Sequence, residues 1–149
     1  MLANLAFYIR TNTPKLSLVF WLCTALGYGV GTLAIISISL ADLSFMDASG
    51  TVGERAAFHL SVVRLIIISV TLIVFPVLLF TSLRHLFYFM IGITAWVTMV
   101  YLDDVLVLYN IVQFPQSAAI NAVMTLRPFV IIGLLWMCFE LQMRLKNGS

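Results

Sequence analysis

Asp103 and Asp104 stand side by side in the run Tyr101-Leu102-Asp103-Asp104-Val105-Leu106, inside a stretch apolar enough to cross a membrane. A charge at that depth costs about 2.5–3.5 kcal/mol even on lenient insertion scales, so it is rarely idle. Arg64 and Arg127 are the other charges at comparable depth, each in a different apolar stretch. Adjacent carboxylates can share a proton, the arrangement of a proton or cation relay. Arginines close by favour a different outcome, in which opposite charges pair and fix which helices meet and in what register. The four charges balance, which favours pairing. Lining of an ion or substrate path is the alternative.

Little else in the chain could do chemistry. His59 and His85 fall at opposite ends of their apolar stretches and cannot hold one haem between them. Cys23 and Cys138 lack CxxC or metal-ligand spacing and suit inert packing. There is no Ser-His-Asp set, metal cluster or phosphate loop, so neither an enzyme, a metal nor a cofactor is expected. Asn121 and Thr125 lie one turn apart, placed to bond across helices or to the carbonyl near Met124 that Pro128 frees. Glu140 precedes Arg144 by four residues, the spacing of a helical ion pair.

Composition says where these residues must work. Of the 149 residues, 62% are hydrophobic and 9% charged, against roughly 45–50% and about 25% in a soluble domain. Such a chain cannot cover a water-facing surface, so an integral membrane protein is expected, one transmembrane domain over residues 1–149. The net charge of +2 contains no basic run, which sets aside a nucleic-acid partner. The first apolar stretch, at about 25 residues, exceeds the ~7–15 of a signal core and should remain as a span.

Four helical membrane spans follow from the pattern, at about 14–41, 57–81, 83–110 and 117–144. Residues 2–10 suit a short interfacial helix. Thr13 and Pro14 fit an N-cap and first helical position. Thr51-Val52-Gly53-Glu54 fits a capping box, so the second helix starts before its span does. Ser117 is the expected cap of the fourth. Pro76 should kink the second helix, and Pro128 interrupts the fourth. Thr24, Gly27, Gly31 and Ala34 share one face of the first helix, with a GxxxG pair that lets backbones approach closely in lipid. That face suits packing within the bundle or an oligomer interface.

Orientation follows from counting basic residues. One side collects Arg10, Lys15, Arg84, Arg144 and Lys146; the other has Arg55 beside Asp42, Asp47 and Glu54. The positive-inside rule puts both termini in the cytoplasm. The four intramembrane charges then lie in the outer half. Side chains lean toward their helix N-terminus, so the arginines lean outward and the aspartates inward, and they converge. At least one arginine is expected to pair with Asp103 or Asp104. Those two are about 100° apart on a helix, so they cannot serve one neighbour equally.

The expected protein is an all-α four-helix membrane bundle, N-in and C-in, most simply in a bacterial inner membrane. It would act as a structural or accessory subunit, its partners being the lipid bilayer and other membrane subunits or itself. A small transporter or channel subunit using Asp103, Asp104, Arg64 and Arg127 is the alternative.

Overall fold

The structure, a computed structural model, describes residues 16–40, 52–109 and 117–147. These form four helices: α1 (Leu18–Leu40), α2 (Val52–Thr81), α3 (Leu83–Leu108) and α4 (Ala118–Asn147). Each contains a stretch long and apolar enough to cross a membrane. The shortest, at 23 residues, is about 34 Å long at 1.5 Å per residue, more than the ~30 Å of a hydrocarbon core. Only 11–17% of each such stretch is buried within the bundle. Most of the apolar surface therefore faces outward, which fits a multi-pass membrane protein and not a water-soluble bundle.

Caps set where the helices begin. Thr13 and Pro14, expected to open the first helix, lie outside the described residues, and so do residues 2–10 and Thr51. Helix α1 starts only at Leu18, later than expected, because Ser17 is its cap: the Ser17 hydroxyl accepts the Phe20 N–H at 3.1 Å. Ser117 does the same for α4, accepting the Ile120 N–H at 3.1 Å. A single residue, Ser82, separates α2 from α3, and its hydroxyl lies 2.8 Å from His85 Nδ1. That short link makes the two an antiparallel hairpin.

The helices form a ring in which α4 packs closely on α1 and α3, while α2 sits more loosely against α1 and α3. The bundle has two unlike ends. At the hairpin end, Phe20, Leu79, Leu86, Met90, Met137 and Leu141 interlock with Phe75 in a tight apolar core. Phe20 stacks on Phe75, ring centroids 6.5 Å apart, and Tyr28 meets Phe75 edge-on at 6.0 Å. At the other end, which holds Asp104, the apolar cluster shrinks to Val30, Ala34 and Val123.

Both proline helices run on unbroken. Pro76 cannot donate to the carbonyl four residues back, which is that of Leu72. The Tyr28 hydroxyl of α1 donates to that same carbonyl at 2.8 Å. A bond between helices thus replaces the one that proline removes, as lipid demands. Hydroxyls inside the spans are carried in another way. Thr24, Ser37, Thr71, Thr94 and Thr98 each donate to the carbonyl one turn back in their own helix.

Candidate functional site: an Arg–Asp pair over an apolar chamber

Asp104 of α3 and Arg127 of α4 form an ion pair, Arg127 Nη1 donating to Asp104 Oδ2. The Asp104 side chain is almost completely buried, 3% exposed, and the Arg127 side chain is 13% exposed. Burial at this level removes most water screening, so the pair contributes far more than one on a water-facing surface. It also makes each partner depend on the other, since a lone buried charge is strongly destabilising. Asp103 is in α3, but its side chain lies outside what the structure describes.

Arg64 of α2 points inward. Ser61, one turn earlier, is fully buried, and Thr71 lines the interior on the same face. Arg64 borders two adjoining spaces. The smaller, about 40 Å³, is bounded by Ser37, Arg64, Asp104 and Arg127 with apolar neighbours. Three charged side chains border it, and it is large enough for water, which needs roughly 10–15 Å³ per molecule.

The larger space is a chamber of about 130 Å³ walled by all four helices. Its floor is Phe75, Met90 and Met137, and Trp96 and Val97 of α3 form part of its side. Arg64 and Arg127 stand at its far end. The chamber occupies the place where the small-residue face of α1 was expected to pack. Thr24, Gly27, Gly31 and Ala34 all line it. Gly31 does approach α2, since a methyl there would sit 3.4 Å from Ile68 Cγ2 and 3.5 Å from Leu72 Cδ2. Gly27 approaches nothing within 4 Å. Its missing side chain leaves space instead of a close helix contact.

The close approach of α1 to another helix is made by Gly133 of α4, a residue the sequence pattern does not single out. A methyl on Gly133 would lie 3.3 Å from Cys23 Sγ of α1. The available signal is a lone glycine in Ile131-Ile132-Gly133-Leu134-Leu135, costly in a helix unless something needs the room.

Asn121 and Thr125 do not join the charge cluster. Both are exposed, and Thr125 donates to the Asn121 carbonyl at 2.8 Å within α4. Glu140 does more than its spacing suggests. It lies 3.9 Å from Arg144, but its main partner is α1. The Ser17 N–H donates to Oε1 at 2.6 Å and the Ser17 hydroxyl to Oε2 at 2.5 Å. A buried carboxylate from α4 thus satisfies free donors at the start of α1, where the helix dipole also favours negative charge.

Cys23 and Cys138 are free thiols, with Cys138 Sγ 3.6 Å from the Thr94 hydroxyl. Among the described residues no group of three metal-ligating side chains comes together.

No family model, curated protein or solved structure matches this chain. The site must therefore be judged on its own chemistry. It offers a buried ion pair, a second inward arginine and an apolar chamber beneath them.

Proposed function

We propose that this protein is a structural or accessory subunit of a membrane assembly, or a homo-oligomer, in which the Asp104–Arg127 pair fixes how α3 meets α4. The observation that carries this reading is the pair itself. It is buried, it joins two neighbouring helices, and its charges are mutually satisfied, which suits a fixed register better than a moving proton. The wide apolar surfaces of all four helices add support, since they offer area to lipid and to other subunits alike. Both termini face the cytoplasm in this reading, because Arg84, Arg144 and Lys146 lie at the hairpin end, on the side to which the sequence pattern also assigns Arg10 and Lys15; a bacterial inner membrane is the simplest setting. Reporter fusions at each terminus check the orientation.

A second reading rests on the smaller internal space. Arg64, Asp104 and Arg127 border internal space, as the residues of an ion or substrate path would in a small transporter or channel subunit. One experiment separates the two. The protein is extracted from its native membrane into nanodiscs and weighed by native mass spectrometry. Co-purification with other proteins at fixed stoichiometry supports the accessory reading. A particle of this chain alone, whose liposome flux is lost in Asp104→Asn while expression and fold persist, supports transport.

A further inference from the structure

The larger chamber, about 130 Å³, compares with engineered apolar cavities of about 150 Å³ that stay free of water and accept a benzene ring. Its charged groups stand at one end. The floor at the opposite end is Phe75, Met90 and Met137, all buried. Tyr28 and Trp96 add two further rings to the wall. The hydroxyls on the wall each donate to a backbone carbonyl: Thr24 to Phe20, Thr71 to Ile67 and Tyr28 to Leu72. Gly27 helps to leave the space open. A methyl there would meet nothing within 4 Å, although one on Gly31, a turn further along, would touch α2.

We propose that the floor of this chamber binds a small neutral aromatic lipophile, one ring in size, of the kind that partitions into a bilayer. The wall selects each part of that description. A charged guest beside Phe75 would give up its hydration and find carbon in its place, so the guest is neutral. Tyr28 already meets Phe75 edge-on, centroids 6.0 Å apart, and a ring lodged between these and Trp96 extends the same kind of contact. The sulfurs of Met90 and Met137 also favour a ring, and their flexible thioethers adapt to its outline. A space suited to one ring takes only the short end of a lipid tail and would leave most of the tail outside. This site is independent of the accessory reading, which concerns the outer surface and the fixed pair.

The test uses the full chain in phosphatidylcholine nanodiscs, carbon-13 labelled at its methionine methyls, and two neutral probes, fluorobenzene and fluorocyclohexane. Fluorobenzene should shift the Met90 and Met137 methyl signals saturably. The exposed Met99 and Met143 should follow only its partition into lipid and drift without saturating. Fluorine NMR against empty nanodiscs gives the affinities, and fluorobenzene should bind about threefold tighter than fluorocyclohexane, the worth of one ring–ring contact. Gly27→Leu places a side chain into open space and should abolish the saturable response while the melting temperature is kept or raised. Gly29→Leu, the same change on the exposed side of α1, should leave the response intact. If Gly27→Leu fails to fold, the methionine shifts of the unaltered protein decide alone. No saturable response at Met90 and Met137 overturns the assignment, including the case in which a lipid tail holds the chamber. Equal affinity of the two rings overturns it too, as does unchanged binding in a folded Gly27→Leu variant.

Discussion

The two halves of the bundle are held by different forces. At the hairpin end, fully buried side chains such as Phe20, Leu86 and Leu141 interlock across the helices. At the Asp104 end the helices surround a chamber, and among the described residues a buried ion pair ties α3 to α4. The difference matters more in lipid than in water. Lipid tails are as apolar as a protein core, so burying a leucine gains contact and shape but little transfer free energy. A tight apolar half can therefore lose one side chain at modest cost. The charged half includes a buried ion pair, whose loss has greater consequence.

Breaking the pair should have the largest effect. Asp104→Ala leaves the Arg127 charge buried without this partner and should destabilise by about 3–5 kcal/mol, measured by reversible unfolding in mixed micelles. Replacing both partners with leucine should cost much less, because neither member of the pair is then left buried without the other. A double-leucine variant as unstable as the single one would mean that the pair does more than hold helices together.

Next comes the tie at the opposite end. Glu140→Ala removes both acceptors of Ser17 and should cost about 1.5–3 kcal/mol, the range for hydrogen bonds to a charged group. Faster hydrogen exchange at the first turn of α1 would localise the loss. Tyr28→Phe is smaller, about 1 kcal/mol, since it leaves only the Leu72 carbonyl without its donor beside Pro76. Exchange in α2 near Pro76 should rise, while the start of α1 stays protected.

The smallest effects sharpen the contrast most directly. Alanine is favoured over glycine in a helix by roughly 0.5–1 kcal/mol. Gly27→Ala meets nothing within 4 Å and should realise that gain as a higher melting temperature. Gly133→Ala brings the same preference but must displace Cys23, so its gain should be smaller or reversed. Equal gains at both sites would contradict the picture of one tight half and one hollow half.

Much of the fold can be seen in the sequence because lipid imposes it. Long apolar runs with few charges have little choice but to be helices, and the turn at Ser82 leaves no room for anything but a hairpin. The cap at Ser117 follows from local chemistry alone. The start of α1 does not, since the Ser17 cap is held by Glu140, 123 residues away. The charged residues stand out because each is expensive where it lies, but the sequence cannot choose between adjacent aspartates, whose directions differ by about 100°. The chamber is invisible for a more basic reason. A glycine marks a close approach at Gly133 and a void at Gly27, and only the relative placement of the helices tells the two apart. The link from Tyr28 to Pro76 is hidden likewise, because a tyrosine on one helix gives no sign of the carbonyl it will meet on another.

The measurement that bears most directly on the whole account is a double-mutant cycle on Asp104 and Arg127. Unfolding free energies would be determined for the unaltered protein, Asp104→Asn, Arg127→Gln and the double variant. A fixed structural pair predicts a coupling of about 1.5 kcal/mol or more, in the upper part of the range for contacting residues, with the exchanged pair Asp104→Arg/Arg127→Asp recovering part of the stability lost by either single change. Additive losses, with no recovery on exchange, would contradict the claim that this pair holds the open half of the bundle together.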